Sequence, residues 1–353
     1  MQRLTYEFHF RFAERKNRST LNRSFEEAAS NGFDFHYFTD FQSEPTTGHL
    51  QDALKHFKET QANGILAIGG GTALDLAKAL SVLAANPQLG LADIPQQKRL
   101  EKIPLIAVPT TSGTGSEATK VTVITDTAQN RKLNPGHPAL IPDAVILDPE
   151  LTISMPPQIT AETGLDALTH AMEAFVSTRA TPISDAFALE AIRLIGNSIR
   201  TVYHEPENLK ARDDMLRGSF FAGLAFSNSS TNLAHATARP LGTSFSLPHG
   251  LSVALMHPYV ISFGEKAASA RYAEIAKALQ TENIAAYIES LNDAFQLKEA
   301  AKKRLDLEQF QSAIPTLAED ALAGNGIATN RKTPIKQDII DIYQKLATDL
   351  LGE

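Results

Sequence analysis

The chain of 353 residues contains no cysteine. Disulfides, thiolate metal sites and cysteine nucleophiles are therefore excluded, and any bound metal must be held by histidine, aspartate or glutamate. Positive charge is not in excess: 33 Lys and Arg stand against 40 Asp and Glu, a formal net charge of −7. Such a chain is poorly suited to tracking a phosphate backbone, so no nucleic-acid partner is expected. There is no run of about 18 apolar residues, so no membrane-spanning helix is expected. Met1 to Lys16 alternates and is rich in charge, unlike a secretory signal, and a cytoplasmic location is the expectation. Internal repeats and low-complexity tracts are absent as well. What is there is ordinary globular material: 43% hydrophobic and 21% charged residues. That is enough to build packed cores, which excludes wholesale disorder. The length suits about two domains of ~100–200 residues each.

The apolar pattern divides the chain. Leu4, Tyr6, Phe8, Phe10 and Phe12 alternate with polar residues, the period of a half-buried strand. A polar patch from Glu14 to Arg23, a helical stretch near Phe25 to Ala29 and a strand within Phe33 to Phe38 follow. After Pro45, helical spacing starts behind an N-cap at Thr46 or Thr47. Gly64 to Ile68, Ile103 to Val108, Lys120 to Thr125 and Ala144 to Leu147 read as strands, with a helix over Thr72 to Leu83. Strands alternating with helices point to a parallel α/β sheet. From about Met155 the strand signals stop and amphipathic helical segments run to Leu351. The boundary falls near Leu151 to Met155, just before Pro156 and Pro157.

Two loops and one polar set carry chemistry. Ile65 to Lys78 runs from an apolar strand through Gly69, Gly70 and Gly71 into a helix that begins at Thr72. Free amides at a helix start attract phosphate, and glycine lets it approach the backbone. Asp75 is expected in the first turn, where a carboxylate suits the helix dipole. The alternative is a tight strand-to-helix turn and nothing more. Val108 to Glu117 follows the next strand with Thr110, Thr111, Thr114, two serines and two glycines. Such a loop offers hydroxyls and amides to a ribose or phosphate, unless it is a solvated surface loop. Ligands of open α/β sheets sit beyond the carboxyl ends of strands, where both loops fall. Farther on, Asp166 and His170 lie four apart on one helix face, and His235 and His249 lie fourteen apart in apolar surroundings. Three histidines and an aspartate suit a divalent cation such as Zn²⁺ or Fe²⁺, although an Asp/His pair at this spacing is also a common surface pair.

Read together, these segments resemble the iron-containing (group III) alcohol dehydrogenase family. The resemblance rests on Gly69-Gly-Gly-Thr-Ala-Leu-Asp-Leu-Ala-Lys78, Pro109-Thr-Thr-Ser-Gly-Thr-Gly-Ser-Glu117, Pro142-Asp-Ala-Val-Ile-Leu-Asp-Pro-Glu-Leu-Thr152, Thr163-Gly-Leu-Asp-Ala-Leu-Thr-His170 and Pro248-His-Gly250. Their order and spacing agree over roughly residues 35 to 350. The resemblance implies an α/β Rossmann-like parallel-sheet domain over 1–153 and an all-α domain over 154–353, with a cleft between them. It implies that Asp166, His170, His235 and His249 hold Fe²⁺ or Zn²⁺. Gly70, Gly71 and Thr72 would hold the pyrophosphate of NAD or NADP, and Thr111 and Thr114 the region near the nicotinamide. Lys132 matches a basic residue near the cofactor, and Leu151 lies in a segment that lines it. The implied reaction interconverts a small primary alcohol and its aldehyde by hydride transfer, in a homodimer or higher homo-oligomer.

Three departures qualify that pattern. Many relatives carry a histidine four residues after the third ligand, where this chain has Arg239. Arginine does not titrate near neutrality, so it cannot relay a proton, but it can bind an anionic substrate group or pair with a nearby carboxylate. Glu44 precedes Pro45 where the family often has asparagine, a residue that helps bind the cofactor. From Ala13 through Arg23 the chain runs almost straight into the next helix, roughly two dozen residues short of a full βαβ unit. Two rivals follow: a same-scaffold enzyme acting on a polyol or an anionic substrate, and a metal- and nucleotide-binding protein without turnover. The maleylacetate-type reductases of that scaffold lack the aspartate, so Asp166 argues against them.

Overall fold

A computed structural model describes residues 6–9, 26–41, 44–129 and 131–352. The chain divides into two compact units, Met1–Met155 and Pro156–Glu353.

The first unit is built on a five-stranded parallel sheet. Its strands are β1 (Tyr6–His9), β2 (His36–Phe38), β3 (Ile65–Gly69), β4 (Leu105–Pro109) and β7 (Ala144–Val145), in the spatial order β2-β1-β3-β4-β7. Every pairing within it is parallel. Parallel strands need covered crossovers. Two are helical: α1 (Thr47–Thr60) leads into β3, and α2 (Gly71–Ala85) follows it. Thr46 caps α1, accepting from the His49 amide at 3.1 Å, as its place behind Pro45 predicts. Leu74, Leu76, Ala77 and Leu80 of α2 pack with Ile65, Ala67, Leu105 and Ala107 of the strands into one core. Of the crossover between β1 and β2, the described part holds a short helical stretch at 26–30. The polar patch Glu14 to Arg23 and the ends of the first strand, Leu4, Phe10 and Phe12, lie outside the described residues.

One strand-like run is a strand only at its end and sits apart. Lys120 to Thr125 does not join the parallel sheet. Instead β5 (Ile124–Asp126) pairs antiparallel with β6 (Arg131–Leu133) as a separate ribbon. The cause is local: the Asp126 carboxylate accepts from the Ala128 and Gln129 amides at 3.0 and 3.3 Å and turns the chain back on itself.

The second unit is helical throughout its regular structure. Its first helices are α3 (Pro157–Val176), α4 (Pro182–His204), α5 (Leu209–Asn228), α6 (Leu233–Phe245) and α7 (His249–Gly264). Pro157 starts α3, where its missing N–H costs nothing. From Thr160 to Val176 all but one of the α3 residues are buried, which makes it a central helix. Helices α6 and α7 do not stand out in the sequence. Pro240 and Pro258 lie inside them, and α7 is buried on nearly every side, so it shows no amphipathic period. Among the described residues, no helix is long and apolar enough to cross a membrane.

Candidate active site

The glycine turn and the threonine loop leave adjacent strands at the same level. Gly69 ends β3 opposite Pro109 of β4, and the Thr110 amide donates to the Gly69 carbonyl at 3.0 Å. Beyond that bond the two segments press together. A Cβ on Gly70 would lie 3.1 Å from Thr111 Cγ2, and one on Gly71 would lie 2.8 Å from Thr114 Cγ2. Only glycine brings backbone and threonine side chains this close. Gly70 is the N-cap of α2 and offers no side chain to its first amides, which also lack intrahelical acceptors. The result is a cradle of backbone amides at the helix start and threonine hydroxyls, half-buried at Gly70, Gly71, Thr72, Thr110, Thr111 and Thr114. It suits a phosphate group. Leu151 is buried beneath it, packed with Ile68 and Val108.

Two further expected cofactor residues, Asp75 and Lys132, have protein partners of their own. Asp75 is the fifth residue of α2, not part of its first turn, so it does not complement the helix dipole there. Its carboxylate accepts from the Ser116 hydroxyl, from the Val123 amide at 2.9 Å and from the Lys78 ammonium at 3.4 Å. It therefore ties the threonine loop to the helix. Lys78 is fully buried and also donates to the carbonyls of Ser116 and Val121 and to the Thr119 hydroxyl, completing that tie. Lys132 lies on β6 and pairs with Glu44 at 2.7 Å, both exposed. The carboxylate that departs from the family's asparagine is thus matched by a cation.

In the helical unit, α3 places Asp166, His170 and Glu173 along one face. His235 is the third residue of α6 and His249 the first of α7. Asp166, His170 and His235 converge, each offering one ligand atom within 4.8 Å of the others, and all three are buried. Asp166 Oδ1, His170 Nδ1 and His235 Nε2 are buried without a hydrogen-bond partner. Three orphaned donor atoms facing one point fit a cation, because leaving them unpaired is otherwise costly. His249 Nε2 stands 3.7 Å from Asp166 Oδ1, on the exposed side, outside the tight trio. His170 is stacked between Phe226 and His235, with centroids 4.3 Å away on each side.

Electrostatics agree with a ligand set. Burial would raise the Asp166 carboxyl, but His170, His249 and His235 hold it below the usual range. Burial pushes His170 down to about 3, against the pull of Asp166, so it is neutral and able to ligate. His235 is pushed up to about 9: burial opposes this, but Glu173 and Asp166 outweigh it. Without a cation its ring is therefore charged, and a bound cation would have to displace the Nε2 proton. Glu173 is the residue that sequence reading missed. It accepts from His235 Nδ1 at 2.6 Å, and its place on the ligand face of α3, three residues after His170, was the available signal.

Comparison with known proteins completes the picture. Residues 12–149 match the iron-containing alcohol dehydrogenase family, and residues 160–347 match its C-terminal part. The chain belongs to the iron-containing alcohol dehydrogenase family. It is 38% identical over 307 residues to the "Probable alcohol dehydrogenase EutG" of Salmonella typhimurium, covering 85% of this chain and 77% of that one. The structure of a 1,3-propanediol oxidoreductase superposes with a TM-score of 0.88 at 28% identity, over 98% of this chain and 92% of that one. The sulfoacetaldehyde reductase of Bifidobacterium kashiwanohense, in complex with NAD⁺, superposes with a TM-score of 0.86 at 28% identity, over 98% and 92%. As a member of this family the chain is an oxidoreductase of the alcohol dehydrogenase type, and a protein without turnover is not the favoured reading.

Proposed function

We propose that this family member interconverts a small primary alcohol and its aldehyde by hydride exchange with NAD or NADP. One observation carries the reading: Asp166 Oδ1, His170 Nδ1 and His235 Nε2 are buried, mutually close and unpartnered. A divalent ion there, Fe²⁺ or Zn²⁺, supplies Lewis-acid polarisation of the alcohol or carbonyl oxygen. Asp166, His170, His235 and His249 hold it, and the absence of cysteine leaves no thiolate to compete. Gly69, Gly70, Gly71 and Thr72 receive the pyrophosphate, and Thr110, Thr111 and Thr114 hold the cofactor toward its nicotinamide end. Lys132 and Leu151 border it, and Asp75 acts by fixing the threonine loop.

Arg239 belongs to the substrate side in this reading. It lies one helical turn beyond His235 and is exposed. No hydrogen bond or ion-pair contact to it occurs among the described residues. Partial burial lowers its pKa, and the Glu173 carboxylate attracts it without a hydrogen bond. A guanidinium so placed favours a substrate with an anionic or strongly polar end. The relatives span both kinds, a 1-propanol dehydrogenase of Salmonella typhimurium and a sulfoacetaldehyde reductase of Bilophila wadsworthia. A cytoplasmic location and a homodimer or higher homo-oligomer are part of the proposal, the latter to be checked by light scattering.

The test is a panel of neutral and anionic alcohols and aldehydes with NADH and NADPH, metal content being measured on the same sample. Alanine at His249 or His170 is expected to remove both metal and turnover. Full turnover with substoichiometric metal overturns the metal reading. Equal use of neutral and anionic aldehydes, unchanged in Arg239→Ala, removes the substrate role of Arg239.

A further inference from the structure

Glu173 does more than fill a buried position. It is 2% exposed, and its carboxylate is shared among three donors on the first residues of α6. Oε2 accepts from the Asn232 amide at 2.8 Å and from His235 Nδ1 at 2.6 Å, while Oε1 accepts from the Ala234 amide at 2.7 Å. Asn232 is the N-cap of α6 yet makes no side-chain cap, and its amide group donates instead to the Glu173 carbonyl at 2.7 Å. The carboxylate of one helix thus satisfies the orphan amides of another, a task that usually falls to the N-cap itself.

The same carboxylate fixes the histidine. An ionised carboxylate only accepts, so Glu173 keeps a proton on Nδ1, and the Nε2 proton is the one that a bound cation would displace. Nε2 then faces Asp166 Oδ1 at 3.3 Å, the orphaned pair of the candidate centre. We infer that Glu173 is the positioning residue of the metal centre: it joins the helix of Asp166 and His170 to the helix of His235 and sets the tautomer and angle at which His235 binds. A carboxylate behind a ligating histidine also makes the ring a stronger ligand.

The inference rests on the proposed metal centre, and its test separates the two. Metal-free protein is titrated with Zn²⁺ in competition with a chromophoric chelator, for the unaltered chain, Glu173→Gln and Asn232→Ala. Glutamine is isosteric but keeps a single acceptor oxygen, so the Zn²⁺ affinity is expected to fall about 10–100-fold. Asn232→Ala weakens the start of the same helix while leaving Glu173 on His235, so it is expected to lower the melting temperature with affinity within about threefold. Affinity unchanged in Glu173→Gln, with only its melting temperature lowered, makes Glu173 a helix cap alone and overturns the inference while the metal centre stands. Failure of the unaltered chain to take up Zn²⁺ overturns both. Should Glu173→Gln not fold, histidine ¹⁵N spectra of the unaltered Zn²⁺-loaded protein decide. A slowly exchanging Nδ1–H on His235, identified by its loss in His235→Gln, supports the inference, and coordination through Nδ1 overturns it.

Discussion

At the scale of single residues, the informative side chains are charged groups taken out of water. Glu117 is 1% exposed and its Oε1 has no hydrogen-bond partner. Burial pushes its pKa up to about 7 from an ordinary value of 4.5, against the attraction of Lys78. Between those values the folded chain holds a proton that the unfolded chain has released, so stability falls as pH rises through this window. Urea denaturation at pH 5 and pH 8 should show that loss, and Glu117→Gln should flatten it. A slope unchanged in the variant would assign it to other groups. Glu117 was visible in the sequence as one letter of a polar loop, but nothing local reveals its burial. Asp75 teaches the same lesson. Its helix was legible, whereas its actual partners, Ser116 and Val123, lie over forty residues away.

Elements are placed by close approaches that only glycine allows. A methyl on Gly71 would stand 2.8 Å from Thr114 Cγ2, so Gly71→Ala must part the two cofactor loops. Overpacking of this kind costs about 1–3 kcal/mol. NADH binding followed by fluorescence should weaken roughly tenfold, since ~1.4 kcal/mol is a factor of ten. Thr114→Ala in the same chain should restore part of the stability, because it removes the clashing methyl. Undiminished NADH affinity in Gly71→Ala would remove the glycine turn from the cofactor site. Gly250 is tighter still: its Cβ would lie 2.4 Å from the Glu162 carbonyl oxygen, which belongs to the backbone of α3. Gly250→Ala should therefore displace the start of α7 with His249 on it. Bound metal measured by emission spectroscopy should drop along with the melting temperature. Metal retained in full would show that His249 is dispensable.

At the scale of the whole molecule, each unit has its own hydrophobic core, one around α2 and the parallel strands and one around α3. All four candidate ligands lie in Pro156–Glu353. A ligand that binds only the folded state at 100 times its Kd adds about 2.7 kcal/mol. Removing metal with a chelator should thus increase amide hydrogen exchange around Asp166, His170, His235 and His249, and leave β3 and β4 of the other unit unchanged. Equal changes in both units would mean that the metal stabilises the chain by another route.

Local chemistry was enough to read the strand-to-helix turn at Gly69 to Thr72, a cap at Thr46 or Thr47, the change to helical pattern just after Pro156 and Pro157, and the ligand types that a chain without cysteine can offer. These features depend on neighbours in the chain, through periodicity, capping and turn preference. The separation of the β5–β6 ribbon from the parallel sheet, the burial of α7 and the three-way use of the Glu173 carboxylate were decided only by tertiary structure. The β5–β6 turn is local, but that its ribbon stays apart from the parallel sheet is not. Helix α7 is covered by helices far along the chain, and the Glu173 carboxylate meets partners 59 and 62 residues away. No short window of sequence contains both halves of such contacts.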